Sequence, residues 1–259
     1  MRKIYFILFL VMVACIGCEW HLRTDEQAVK PAVSVERYDQ IEIRYLTTGD
    51  VASLQQMNTS YPRQTRTLIE DLLQLGQVDE ALIHTRFYTY FQDSTLQLLL
   101  SDVKRMYDDM SGIDDELSAS FLSLHKMLPH IEIPEVYAQV GSLDQSIVVG
   151  RGILGISLDK YLGEDYPLYL RYGYTERQRK TMTREYIVPD CLAFYLLSFY
   201  PLQVEDEPTP EQRRQHMGRI QHVVNQAMDR AVFSSEYVDQ AAQLMSDSSL
   251  TAHQLLVEL

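Results

Sequence analysis

Cysteine is scarce in this chain of 259 residues, and its positions limit the covalent structure that the chain can form. Cys15 and Cys18 stand near the N-terminus, and Cys191 is the third cysteine. If Cys18 is the first residue of an exported protein, as its surroundings below indicate, Cys191 is the one other thiol that remains. An exported chain with a single unmodified thiol forms no internal disulfide, so a disulfide-dense scaffold is excluded.

Basic residues are also few, because 23 Lys and Arg stand against 36 Asp and Glu, for a net charge of −13. Nucleic-acid binding needs a basic face that neutralises phosphates, and no basic stretch occurs in the sequence. The 11 Gly and 9 Pro exclude a collagen-like repeat, and a hydrophobic content of 46% excludes a disordered chain. An acidic, folded protein with no nucleic-acid partner remains.

No apolar run reaches the roughly 20 residues that a membrane-spanning helix needs, but a shorter run stands at the N-terminus. Arg2 and Lys3 precede an apolar segment over 4–14, and small residues follow it. This order is typical of a secretory signal peptide, which we predict over 1–17. The protein is therefore expected outside the cytoplasm.

The end of this leader carries a candidate anchoring site. Cys15-Ile16-Gly17-Cys18 resembles the lipobox of bacterial lipoproteins, so Cys18 is the predicted lipidated residue. Cys15 is the alternative anchor, and a plain secreted protein is the alternative to a lipoprotein. Residues 18–34 then form the lipidated cysteine with a polar tether, and 35–259 form the domain. We expect the lipid anchor to hold this domain at the cell membrane or the outer membrane.

The hydrophobic period changes along the domain and predicts the order of its elements. Apolar residues alternate with polar ones over 35–46, recur at helical spacing over 50–128, form short β-like runs over 133–158, and return to helical spacing over 182–200. Thr209 and Gln212 then have the spacing of a capping box that opens another helix. The helical stripes are expected in the core, among them Leu96, Leu99, Leu100, Val103, Met106 and Tyr107. This order predicts an α+β fold, a mostly helical single domain with a small central β-sheet.

Glycine and histidine motifs give no sign of a catalytic, cofactor or metal site. The run from Gly150 to Gly155 has dinucleotide-binding spacing, but strand-like residues follow it, so a hairpin turn is predicted. The run from Gly155 to Asp159 begins like the elbow of a serine hydrolase and lacks the second glycine. None of the seven histidines stands in H-E-x-x-H, the spacing that places two zinc ligands on one helical face.

One segment carries a resemblance to a known family. The run LGISLDKYLGEDYPLY at 154–169 resembles a segment of the GldB family of gliding motility lipoproteins. Three further stretches are similar to that family: Glu36-Arg37-Tyr38-Asp39, the run from Pro129 to Tyr137, and Arg184-Glu185-Tyr186-Ile187-Val188-Pro189-Asp190.

The resemblance implies a degenerate zincin-like domain, related to zinc metallopeptidases but without the metal motif. Arg184 and Val188 would occupy the two histidine positions, and only Glu185 would match. It therefore implies a non-catalytic cell-envelope lipoprotein that acts by binding other envelope proteins in motility, export or envelope assembly. The candidate functional surface is Asp159, Tyr161, Gly163, Asp165 and Tyr166, for which a structural turn with a positive φ at Gly163 is the alternative.

Two other functions stay open. The first is an envelope zinc metallopeptidase with a non-standard ligand set, such as Glu185 with His216 or His222. The second is a helical-repeat adaptor, because Gly76 and Gly112 stand 36 residues apart and each lies in a helical region.

Overall fold

The computed structural model describes residues 33–203 and 207–257, so the predicted signal peptide, Cys15 and Cys18 lie outside the described residues. The elements before the sheet are α1 (Tyr38–Thr48), α2 (Val51–Ser60), α3 (Pro62–Arg66), a π-helical segment (Thr67–Leu72), α4 (Ile83–Tyr90), α5 (Ser94–Met106) and α6 (Ser111–Met127). The strands are β1 (Glu135–Gln139), β2 (Ile147–Gly150) and β3 (Ile153–Ser157). After them come a 3-10 turn (Leu158–Tyr161), α7 (Pro167–Arg171), α8 (Glu176–Arg179), a second 3-10 turn (Arg184–Tyr186), α9 (Ile187–Phe199), α10 (Pro210–Ala227), α11 (Glu236–Asp247) and α12 (Ala252–Val257).

This order confirms the predicted class, a mostly helical α+β domain with a small sheet. Asp50 and Asp93 begin α2 and α5 as N-caps, since each carboxylate accepts backbone N–H groups of the first turn. The zincin-like part of the expectation stays a prediction.

The stripes of α5 and α6 form the core as predicted, with one exception. Leu99, Leu100, Val103 and Tyr107 are buried, and so are Leu117, Phe121 and Leu124 of α6. Met106 is instead 42% exposed, so its assignment to the core was wrong. The neighbouring Tyr107 takes the interior position, and one residue corresponds to about 100° around a helix, which turns Met106 outward.

The expectation of a strand over 35–46 is wrong for most of that stretch, which forms α1. Tyr38, Glu42 and Leu46 lie four residues apart and are all buried, which is a helical pattern. The hydrophobic pattern did not reveal this helix, because Glu42, one of its inward-facing residues, is an acid. Only Glu36 behaves as expected of a strand, since it forms a parallel bridge with Tyr137 of β1.

The first described residues are fastened to the fold by several hydrogen bonds. The Val33 N–H donates to Ser118 Oγ at 3.0 Å, and the Ser118 hydroxyl donates back to the Val33 carbonyl at 2.8 Å. The Val35 N–H donates to Asp114 Oδ1 at 2.9 Å. Glu36 then pairs with β1 through its N–H and its carbonyl. The chain therefore enters the domain attached both to α6 and to the sheet.

The sheet has the order β1-β3-β2, in which β3 runs parallel to β1 and antiparallel to β2. The predicted hairpin is confirmed, because Gly150 and Gly152 flank the turn between β2 and β3. Gly155 is buried in β3, where an added Cβ would stand 2.6 Å from the Tyr137 ring. This close approach of ring and strand explains why β3 carries glycine there.

The C-terminal helices cover the sheet and α6. Helix α9 packs against α6 and β2, and it buries the free thiol of Cys191. The predicted capping box is confirmed at the start of α10, where Thr209 and Gln212 bond each other's backbone N–H. Helices α10 and α11 then pack together.

Candidate functional site

Asp159 lies in the 3-10 turn that follows β3, with its carboxylate inside the protein. The N–H groups of Gly141 and Leu143 donate to its two oxygens at 2.7 and 2.5 Å. Burial raises the pKa of Asp159, and these two hydrogen bonds act in the opposite direction. The carboxylate thus fixes the loop after β1 to the end of β3.

Tyr161 and Tyr169 extend this network through the interior. The Tyr169 hydroxyl donates to the Asp159 carbonyl at 2.6 Å and accepts from the Leu162 N–H at 2.8 Å. The Tyr161 hydroxyl donates to Asp190 Oδ2 at 2.8 Å, and this contact joins the segment to the first turn of α9. Both rings are buried, so their hydroxyls serve internal contacts.

Gly163 forms the turn that leads out of this interior. Its φ is +110°, which confirms the positive φ predicted for it, and open space lies where a side chain would stand. Its N–H donates to the Met182 carbonyl at 3.0 Å. Arg179 Nη1 donates to the adjacent Glu164 carbonyl at 2.9 Å, so the turn is held on the side facing α8.

The chain reaches the surface at Asp165 and Tyr166. Asp165 is exposed, and the half-buried Tyr166 donates from its hydroxyl to Asp102 Oδ2 on α5 at 3.0 Å. Leu98 and Met106 lie four residues before and after Asp102, on the same side of α5.

Short helix α7 begins directly after Tyr166, the residue that contacts α5. Tyr166 meets α5 at Asp102, and the positive charge of Arg171 lowers the pKa of Asp93 at the other end of α5. This effect of Arg171 is smaller than that of the hydrogen bond that Asp93 accepts from the Thr95 N–H. We use the name Tyr166 face for the residues on the two segments that the Tyr166–Asp102 hydrogen bond joins, namely Leu98, Asp102 and Met106 of α5 with Tyr166 and Leu170.

The Tyr166 face combines exposed apolar side chains with a fixed polar pair. Leu98 is 56% exposed, Leu170 is 55% exposed and Met106 is 42% exposed. Asp102 also pairs with Arg105 at 2.6 Å, so its carboxylate is held by two partners. Exposed apolar groups around an ordered polar contact are typical of a surface that binds another molecule.

The structure divides the five sequence-predicted residues into two groups. Asp159 and Tyr161 are buried, so the expectation that they belong to an exposed surface is wrong. The Asp159 carboxylate accepts hydrogen bonds from backbone N–H groups, and the Tyr161 hydroxyl donates to Asp190. Asp165 is exposed, and Gly163 and Tyr166 are half-buried. Whether any of the five has a functional role stays a prediction.

Two residues of this region were missed as contacts by the sequence reasoning. Asp102 on α5 and Asp190 on α9 hold Tyr166 and Tyr161, respectively. Burial raises the pKa of Asp190 to about 7, although the Tyr161 hydrogen bond acts to lower it. Asp190 stood beside the Arg184–Val188 stretch in the sequence, but no local pattern pointed to a tyrosine 29 residues away.

The alternative zinc ligands lie on different elements. Glu185 is exposed in the second 3-10 turn, and a hydrogen bond from Thr183 lowers its pKa. His216 and His222 lie on α10, where burial lowers the pKa of each, and His216 Nε2 stands 2.8 Å from the Tyr200 carbonyl. Over 33–203 and 207–257, no group of three or more His, Cys, Asp or Glu side chains is arranged to hold a metal ion.

In the part of the chain that is described, no helix has both the length and the apolar character to cross a bilayer.

Comparison with known proteins gives the relationship of the chain. A family model described as gliding motility protein GldB matches residues 19–235. The chain belongs to this GldB family. The match includes the buried Asp159 network and the whole Tyr166 face, and it ends before α11.

No curated protein matches the chain. No solved structure matches it either.

Proposed function

We propose that this GldB-family protein is a non-catalytic, lipid-anchored protein of the cell envelope that acts by binding another envelope protein. Family membership supports a role connected with gliding motility, and the lipobox-like end of the leader supports anchoring through Cys18. Export and envelope assembly are the other processes that such a binding role could serve.

The Tyr166 face is the observation that carries the proposal. Its apolar side chains expose about half of their surface, and burial of that surface against a partner would be favourable. The Tyr166–Asp102 bond keeps α5 and α7 together, so a partner would meet a surface that is already ordered. Asp165 borders this face and supplies negative charge at its rim.

Photo-crosslinking in the native host tests this proposal. A photoreactive residue placed at Leu98 or Leu170 is expected to capture the same envelope protein from both positions. Val51 and Leu82 are matched controls, because both are apolar and more exposed than the test positions, but they lie on or beside α2 and α4. Equal capture at all four positions, or none at Leu98 and Leu170, would refute a specific role for the Tyr166 face.

A second variant tests the absence of catalysis. Glu185→Gln removes the one residue that matches the catalytic position of H-E-x-x-H while it preserves the size of the side chain. We expect it to restore a gene-deletion strain as well as the wild-type protein does. If Glu185→Gln failed to restore the strain at wild-type protein levels and stability, the metallopeptidase alternative would replace our proposal.

A further inference from the structure

Three side chains from separate parts of the chain meet near the C-terminus. Tyr200 follows α9, His130 lies in the loop between α6 and β1, and His253 lies on α12. The Tyr200 hydroxyl oxygen stands 2.8 Å from His130 Nε2 and 2.8 Å from His253 Nδ1. The two imidazole rings contact each other edge to face, with their centroids 5.1 Å apart.

A phenol has one proton, so it can donate to only one of these two nitrogens. The other imidazole must then donate its own N–H to the phenol oxygen. Two ring nitrogens and one oxygen, all of them possible metal ligands, therefore lie in direct contact. Imidazole nitrogen and phenol oxygen are ligands that first-row divalent metals accept, and imidazole suits zinc, copper and nickel in particular.

We propose that His130, Tyr200 and His253 bind a divalent transition-metal ion, with Zn²⁺ as the probe. Zinc binds imidazole nitrogen at about 2.0–2.1 Å, so an ion would take the place of the hydrogens between the phenol oxygen and the two ring nitrogens, and these three atoms would move slightly apart to admit it. Binding through Tyr200 as phenolate releases its proton to the solvent, and the imidazole N–H moves to the other ring nitrogen. Both histidines are exposed, so the fourth position would face water.

This site is distinct from the metal motif that the family resemblance concerns. It uses neither Glu185 nor His222, and His216 contacts the Tyr200 backbone carbonyl instead of the phenol. His253 also lies beyond residues 19–235, the part that matches the GldB family. The site therefore rests on the geometry of this chain alone and does not depend on the proposed function.

Metal binding here has a consequence for the C-terminal helix. His253 belongs to α12, while Tyr200 and His130 belong to the part of the domain around α6 and α9. An ion shared by all three would tie α12 to that part. Amide hydrogens of α12 should then exchange more slowly when the metal is bound.

Zinc titration of the full-length protein, purified in detergent without a polyhistidine tag, tests the proposal. We expect about one Zn²⁺ per chain by calorimetry and by elemental analysis. His130→Gln and His253→Asn keep an amide nitrogen near the positions of Nε2 and Nδ1, so the hydrogen bonds to Tyr200 are preserved without the imidazoles. Each is expected to weaken zinc binding by about tenfold or more, which corresponds to about 1.4 kcal/mol or more.

His222→Ala is the matched control, since it removes a histidine outside the site and should leave zinc binding unchanged. Slower hydrogen exchange of α12 on zinc addition, lost in His253→Asn, would further support the proposal. It would be overturned if the wild-type protein bound no zinc, or if His130→Gln and His253→Asn bound zinc as the wild-type protein does.

Discussion

Asp190 illustrates how a single buried group makes stability depend on pH. Burial raises its pKa in the folded protein to about 7, whereas an unfolded chain gives Asp a value near 3.9. The folded state therefore binds the proton more tightly. The stabilisation from this proton is complete below the unfolded value and is lost as the pH rises from about 4 through about 7.

Asp190→Asn replaces the carboxyl group with a neutral amide and should remove this dependence. We expect the free energy of unfolding of the wild-type protein to fall relative to that of the variant by up to about 1.4 kcal/mol for each pH unit across this interval. Urea unfolding at several pH values measures the difference. Asp165→Asn removes an exposed carboxyl group and reports the effect of net charge alone. Parallel curves for the wild-type protein and Asp190→Asn would contradict the prediction.

The buried residues also show what sequence reasoning could not reach at this scale. Asp159 and Tyr161 carry polar groups, so the sequence favoured exposure for both. Their burial depends on partners distant along the chain, namely the N–H groups of Gly141 and Leu143 and the carboxylate of Asp190. Gly163 was predictable because its positive φ is a property of the turn itself.

Helix α10 depends on its first turn, where the capping box satisfies two backbone N–H groups that would otherwise lack partners. Gln212 N–H donates to Thr209 Oγ1 at 3.2 Å, and Thr209 N–H donates to Gln212 Oε1 at 2.9 Å. The helix contributes buried residues against α6 and α9, so its start is coupled to the core.

Thr209→Ala should therefore destabilise the whole domain, by about 1 kcal/mol, the usual cost of losing an N-cap side chain. Thr175→Ala is the matched control, because Thr175 forms the same capping box on α8, a four-residue helix with no buried residue. We expect a smaller loss from it in denaturant unfolding. Equal losses of unfolding free energy in the two variants would contradict the prediction, because they would show that packing of α10 against the core does not increase the effect of losing the cap.

The sequence predicted some helices correctly and one of them wrongly, and the difference has a physical reason. The stripes of α5 and α6 and the capping box of α10 were visible because their apolar and capping residues obey local periods. Helix α1 was predicted as a strand because Asp39 and Glu42 are acids that the structure buries. An analysis of hydrophobic period places acids on the solvent side, so it assigned these two residues to the wrong face. Their burial is fixed by contacts with Arg37 and with Val140 of the loop after β1.

For the whole molecule, the proposed attachment to a membrane depends on one atom, the sulfur of Cys18. Cys18→Ser should abolish incorporation of labelled fatty acid and move the protein from the membrane fraction to the soluble fraction, because no sulfur remains at position 18 to carry the acyl chains. Cys15→Ser is the control and should keep the label. Loss of label in Cys15→Ser, together with its retention in Cys18→Ser, would identify Cys15 as the anchor instead.

The class of the domain followed from the sequence, but the Tyr166 face did not. The change of hydrophobic period located the sheet between two helical regions, and the structure has it there. The face arises from α5 and α7, which are far apart in sequence, and Met106 was assigned to the core. The Tyr166–Asp102 hydrogen bond joins these two segments, and its residues lie 64 positions apart in the sequence.

The way in which the chain enters the domain has a mechanical consequence. A force transmitted along a tether from the membrane would arrive first at Val33, which is bonded to α6, and then at Glu36, which is bonded to β1. Glu36 forms two hydrogen bonds with β1, one through its N–H and one through its carbonyl, so both would resist a pull that reaches this residue. If Cys18 is lipidated as proposed, a domain attached in this way would transmit tension from that anchor into its core through α6 and β1.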